Sequence, residues 1–401
     1  MLVLCLAPRL AWGRDISFAE ARAAAERSAP DVQLAQRRAD LANAEVEVEG
    51  ALANPTLAVS TASQTARLGA SVGVPLPLFG QRRTMVAAAR ADAAAVFLDV
   101  TVARRDTRWQ ATLAWIDLWE AQERARLLER AGQDAQRLSQ IASERFAAGT
   151  GPRLDVVRTG ADRARAAAEA EAARHLVGAA AARLAPWIGV PASDELTAAG
   201  APGFPEGFAV ALDNLERGLA DHATLQRDRA QVVAADRHVT SERRSRWPVL
   251  VPQLTVNQQD PTLPGTDFIF GLAVELPVLS LRRGAIARAE ARRTLADTHA
   301  RADERRLRAE LLDAYRRTQS TRLKLRALRE QVLPAMQEAR DMTEEGYRLG
   351  RVDLIRLLEA QRALLDSRLA EAEAAGAWNR AVADLEKAAG ADFGEGDRHA
   401  P

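Results

Sequence analysis

The chain has 401 residues, enough for two or three domains, and 47% of them are hydrophobic while only 4% are aromatic. Formal charge is +1, from 55 basic and 54 acidic residues interspersed along the chain, which excludes the basic field that nucleic-acid binding requires. A single cysteine, Cys5, excludes a disulfide framework or a cysteine metal cluster, and a composition rich in Ala, Leu, Arg and Glu favours long helices over a thick mixed core.

In chain order, residues 1–13, MLVLCLAPRLAWG, join a short apolar run to Ala11-Trp12-Gly13, small residues where a signal peptidase cuts. They predict a signal peptide whose usual positive start is missing. No apolar run approaches the roughly 20 residues of a membrane-spanning helix, so membrane residence would take the form of a barrel. Pro55–Thr61 reads as one strand. In the next, Leu68, Ala70, Val72, Val74, Leu76 and Leu78 alternate with Arg67, Gly69, Ser71 and Gly73. Period two, with one apolar and one small or polar face, describes a strand between two media, either a half-buried hairpin or a barrel wall with lipid outside and water inside.

The strand ends at VPLPLFGQRR, residues 74–83. Pro77 cannot donate to a sheet ladder, and Gly80 permits the turn into the next segment. From Gly80 to Phe146 there is no proline, and Gly132 is the only interior glycine. At about 1.5 Å per residue this predicts a helix on the order of 100 Å long. Gly149 ends it, and a shorter helix returns over Arg153–Ala185. The stretch VPASDELTAAGAPGFPEGF then has the Pro, Gly and Ala content of a linker.

The pattern then recurs. Leu250–Asn257 is strand-like, and Phe268, Phe270, Leu272, Val274, Leu276 and Val278 alternate with Gly271, Ala273 and Glu275. VELPVLSLRR, residues 274–283, repeats the junction, with Pro277 and Ser280 in place of Pro77 and Gly80. Arg282–Leu349 predicts a second long helix, with Pro334 close to the equivalent of Gly132, so both copies place a breaker at one height, read as a bend or change of packing. Leu354–Ala388 is the second return. Aligned without a gap, FAAGTGPRLDVV (146–157) and YRLGRVDLIRLL (347–358) match Phe146 to Tyr347, Gly149 to Gly350 and Leu154 to Ile355. The organisation predicted is therefore a repeat over 14–190, a linker over 191–207, a second repeat over 208–390 and a flexible tail over 391–401.

Two strands per copy give four per chain, and four cannot close a barrel, for which about eight is the minimum. Several chains must share one barrel, with the long helices hanging from it as a bundle. Strand, strand, long helix, Gly turn and shorter helix, twice over, resembles the TolC-type outer-membrane efflux channel family across essentially the whole chain. NPTL at 54–57, GVPLPLFGQRR at 73–83, FAAG before LDVV, and GYRLG followed by LLEAQRALL carry the resemblance, most closely to its heavy-metal (cobalt–zinc–cadmium) branch.

The resemblance implies an α fold with a membrane β-barrel: a homotrimer with a 12-stranded barrel in outer-membrane lipid and an α-helical tunnel across the periplasm. It implies a periplasmic adaptor and an RND-type inner-membrane pump as partners, with metal cations or drugs as cargo. It also implies that Ala148, Gly149, Thr150, Leu349, Gly350 and Arg351 form the adaptor-docking tip, and that Asp155 bonds to Tyr347 as a gate latch. Where the family narrows its pore with carboxylates, this chain has Arg356 and Glu359. The reversed sign at Arg356 implies a pair at i, i+3 in place of a purely acidic ring. A protein-secretion duct of the same build and a soluble helical scaffold are the alternatives, and the four alternating runs disfavour the scaffold.

Catalysis has no support in the sequence. His175, His222, His238, His299 and His399 are scattered without ligand spacing, and Gly149-Thr150-Gly151 lacks the lysine and preceding strand of a phosphate loop. No cofactor is expected.

Overall fold

Long segments of helix-favouring residues alternate with short period-two runs, and the elements follow that division. The computed structural model describes residues 14–61, 68–204, 211–258, 265–276, 281–349 and 351–393. In order these are β1 (Arg14–Ser17), α1 (Phe18–Ser28), α2 (Pro30–Gly50), β2 (Thr56–Ser60), β3 (Leu68–Gly73), α3 (Gln81–Ala147), α4 (Arg153–Ile188), β4 (Leu196–Ala199), α5 (Leu212–Gly218), α6 (Ala223–Arg244), β5 (Val249–Gln258), β6 (Thr266–Glu275), α7 (Arg283–Ala327), α8 (Leu333–Arg348) and α9 (Leu354–Ala389). The expected signal peptide with Cys5, and Arg67, Pro277, Val278, Ser280, Gly350 and the tail from 394 on, lie outside the described residues.

The chain divides into two units. One takes the described residues up to Gln33, then Ala103–Leu219 and those from Leu307 on. Its core forms around Trp115, which is fully buried and donates its indole N–H to the Ile16 carbonyl at 2.9 Å. Phe18 meets Trp115 edge-on at 5.2 Å and Phe204 at 5.1 Å. Small side chains on α4 and α9, among them Ala181, Ala185, Ala374 and Ala375, let the helices close on this centre. Ser17 ends β1 and caps α1: its hydroxyl accepts from the Glu20 N–H at 3.2 Å, and the Glu20 carboxylate accepts from the Ser17 N–H at 2.9 Å.

Two features of this unit refine the sequence reading. Residues 191–207 read as a linker, yet β4 lies within them and pairs in parallel with β1, from Arg14 opposite Leu196 to Ser17 opposite Ala199. Gly200 and Pro202 follow this strand. The two breakers also act differently. Pro334 sits in the first turn of α8, after a π-helical turn at Leu328–Val332 that interrupts the α7–α8 run. Gly132 leaves α3 unbroken, and a Cβ there would lie 3.9 Å from the Ala166 carbonyl of α4. That distance is ordinary van der Waals contact, so neither a bend nor the packing at that point requires glycine.

A partly buried charge network joins α1, α3 and α9. Arg22 and Arg108 both bond to Glu386, Arg108 reaches Glu26 at 3.2 Å, and Asp392 takes Arg22 at 3.0 Å and Arg108 at 2.8 Å. Burial pushes the Glu386 carboxyl above its ordinary range despite both guanidiniums.

The other unit, Leu34–Val102 with Ala220–Arg306, holds the larger sheet. Its strand order is β2-β3-β5-β6, all antiparallel. The first strand-to-helix junction is built as the sequence predicts. Val74 and Leu76 still donate to Pro252 and Leu250 of β5, at 3.1 and 2.7 Å. The amide positions of Pro75 and Pro77 face the other side, where β2 has already ended at Thr56, so the missing donors orphan nothing. Gly80 turns the chain at φ +85°. Gln81, 4% exposed, then donates to the Trp247 and Pro248 carbonyls at 3.1 and 3.0 Å, tying the start of α3 to the start of β5. At the second junction no glycine makes the turn: Leu281 and Arg282 adopt left-handed φ values of 45° and 51°.

Candidate functional site

Two places stand out. The first is the face of the large sheet. Cross-strand partners share a face, and the register sets Leu57 opposite Val72, Val72 opposite Leu254, and Leu254 opposite Phe270. It likewise sets Pro252 opposite Leu272 and Leu250 opposite Val274. The even-numbered residues of β3 and β6 therefore lie on one apolar face, and its large side chains are bare in the single chain: Phe270 is 83% exposed and Leu57 68%. Thr56, Ser71, Gln253 and Gly271 belong to the opposite, polar and small-residue face. Among the described residues β2 and β6 each pair on one side only, so both edges of the sheet are open.

The second place is the pair of turns that end α3 and α8, both within the first unit. Gly149 adopts φ +72°, and the Ala148 N–H donates to Glu144 and the Thr150 N–H to Arg145, each at 2.9 Å. Pro152 stands at the N-cap of α4. On the second turn the Arg351 N–H donates to the Gly346 carbonyl at 2.8 Å, and Asp353 caps α9 by accepting the Arg356 N–H at 3.0 Å. Gly350, the sixth tip residue, lies outside the described residues. Ala148, Gly149, Thr150, Leu349 and Arg351 are exposed, as are the neighbouring apolar side chains Phe146, Leu154 and Ile355.

Tyr347 does not bond to Asp155 in this structure. Its hydroxyl accepts from Arg145 Nη1 at 2.8 Å, and the guanidinium carbon lies 5.2 Å from its ring centre. The physical reason is reach: Arg145 stands in the last turn of α3 and its long fork meets both the ring and the hydroxyl, while Asp155 is in the first turn of α4. Arg356 and Glu359 do not meet in the single chain. Both are exposed on α9, and their side chains form no ion pair with each other.

No helix among the described residues is long and apolar enough to cross a membrane, and no group of three or more His, Cys, Asp or Glu is arranged to hold a metal. Residues 214–391 match the family described as outer membrane efflux protein. The cobalt-zinc-cadmium resistance protein CzcC of Cupriavidus metallidurans is 27% identical over 320 residues, 78% of this chain and 75% of that protein. Of solved structures, CusC superposes with a TM-score of 0.78 at 14% identity, covering 97% of this chain and 96% of that one. The outer membrane protein VceC of Vibrio cholerae gives 0.74 at 17% identity, covering 94% and 96%.

Residues 214–391 of this chain resemble an outer membrane efflux protein. The chain as a whole shares the fold of those solved structures. Within it, Arg145 is the residue that sequence reasoning missed. A signal was present: Arg145 directly precedes Phe146, the residue that aligns with Tyr347, so a cation stood one step from a position already marked by the repeat.

Proposed function

We propose that this protein is a passive outer-membrane efflux channel reaching into the periplasm, and that it works as a homotrimer in which three four-stranded sheets close one 12-stranded barrel, the apolar face against lipid and the small-residue face lining water. The observation that carries this is the bare apolar face bounded by two open edges. A sheet of four strands satisfies neither its edges nor that face alone, while three copies in a membrane satisfy both. The two-repeat organisation, 14–190 and 208–390, fits the matched left-handed glycines Gly189 and Gly390 that end α4 and α9.

The cargo is read as metal cations or drugs, handed over by an RND-type pump through a periplasmic adaptor that docks on the turns at Ala148–Thr150 and Leu349–Arg351. Exposed Phe146, Leu154, Leu349 and Ile355 support docking there, because they surround the turns with uncovered apolar surface. The similarity to CzcC favours cobalt, zinc and cadmium over drugs.

The test pairs one cysteine on β2 with one on β6 in a chain whose Cys5 is replaced. Interchain disulfides that collect the chain as a covalent trimer in outer-membrane fractions are the expected result, and intrachain products alone would refute the shared barrel. In the same strain, loss of the gene should sensitise cells to cobalt, zinc and cadmium. Sensitivity to drugs alone would replace the metal reading.

A further inference from the structure

Within the first unit, α3, α4, α8 and α9 enclose a groove of about 610 Å³ close to the two turns. Its bed is apolar: Leu128, Leu357 and Leu364 are buried, and Leu138 and Leu358 extend them. Its rim is basic. Among the described residues that line it stand eight arginines and four carboxylates, although the whole chain carries only +1.

The acids there are already engaged. Glu344 faces Arg340 at 2.9 Å and Arg348 at 3.5 Å, and Asp162 faces Arg362 at 3.4 Å and Arg165 at 3.6 Å. Arg145 and Arg368 donate to neutral acceptors, the Tyr347 hydroxyl and the Gln337 amide oxygen, at 2.8 Å each. Arg340 also keeps a buried Nε–H with no acceptor. The groove thus combines surplus positive charge, an unsatisfied donor and a hydrocarbon bed, in a volume typical of small-ligand pockets.

We propose that this groove binds an amphiphilic organic anion. A carboxylate, sulfate or sulfonate head sits among the arginines, whose planar forks match such oxyanions, and an alkyl or ring body lies on the leucines. The site is separate from cargo export, and the experiment reads binding to the isolated protein, so its result stands apart from the duct reading.

Octyl sulfate, which is short and charged, is titrated into the protein in nanodiscs of zwitterionic lipid and followed by calorimetry. Empty discs supply the partitioning background. The expected result is a saturable site on each chain. Arg137→Ala with Arg348→Ala, at side chains 75% and 77% exposed, is expected to weaken it by about tenfold or more without affecting the fold. The corresponding pair of lysine substitutions should retain most of the binding. Equal affinity in the alanine variant overturns the proposal. So does equally effective displacement by octyltrimethylammonium, which would mark the groove as merely apolar, and so does an occupant that proves to be an acidic helix of a partner protein with no octyl sulfate binding.

Discussion

Arg145 and Tyr347 join the last turn of α3 to the last turn of α8, through a 2.8 Å hydrogen bond and a guanidinium set 5.2 Å from the ring centre. Tyr347→Phe removes the hydrogen bond and leaves the cation–π contact, a loss of about 0.5–1.5 kcal/mol. Arg145→Ala removes both. If this contact restrains the channel mouth, the open fraction in planar bilayers should rise in the order wild type, Tyr347→Phe, Arg145→Ala, with Asp155→Ala close to wild type. A larger effect from Asp155→Ala would restore the carboxylate as the partner in the working trimer.

The sheet face gives a second prediction. On the proposed barrel, Leu272→Arg should cost about 2–4 kcal/mol and lower the yield of assembled protein in the outer membrane, whereas Ala273→Arg on the other face should be tolerated. Ala273 is a better control than Gly73, where an added Cβ would lie 3.3 Å from both Thr56 and Val251. Equal yields for the two faces would argue against a lipid boundary.

Trp115 should be the most sensitive single position in its unit. Trp115→Ala leaves a cavity and an unpaired Ile16 carbonyl and should cost about 3–5 kcal/mol. Trp115→Phe keeps most of the volume but loses the hydrogen bond and should cost about 1–2 kcal/mol. Thermal unfolding of the purified protein measures both.

Burial raises the carboxyls of Glu386, Glu120 and Asp99. Such an acid binds its proton more tightly in the folded state than in the unfolded state. Its contribution is therefore full below the ordinary value, 4.5 for Glu, and is lost as pH rises through the folded value. Glu120→Gln should accordingly flatten the fall in Tm between about pH 4.5 and neutrality. An unchanged slope would show that Glu120 is solvated in the assembled channel.

Leu281 and Arg282 turn the second junction in a left-handed conformation that glycine occupies at the first. Leu281→Gly should stabilise the unit by up to about 1 kcal/mol, the relief of strain exceeding the entropy that glycine adds to the unfolded chain. A drop in Tm would mean that the leucine side chain is anchored by neighbouring copies.

The parts that were legible in the sequence are those with a local signature. Alternation located β3 and β6, and an uninterrupted run located α3 to within a residue at each end. Gly149 announced its turn because cap chemistry is encoded in a single residue. What escaped was non-local. The four residues LTAA of β4 have no strand signature of their own and are extended because β1 lies beside them, some 180 residues away in the chain. Helices α1, α2, α5 and α6 are short beside α3 and α7, and the sequence pattern did not separate them from their surroundings. The contact of Tyr347 with Arg145 was not legible for a similar reason. A resemblance transfers residue types, while an arginine reaching from the preceding helix is a matter of this chain's own packing.

The bare sheet has a consequence for biogenesis. On the proposed trimer, each chain before assembly carries in water an apolar surface flanked by two unpaired backbone edges, and β6 offers ten residues of template against the five of β2. Such an edge recruits any extended segment, including another chain in the wrong register, and so invites aggregation. The helical unit has its own tryptophan-centred core and needs no partner to bury it. Escort during transit is therefore needed by the strands, and a holdase that recognises extended apolar segments would serve where one that recognises helices would not.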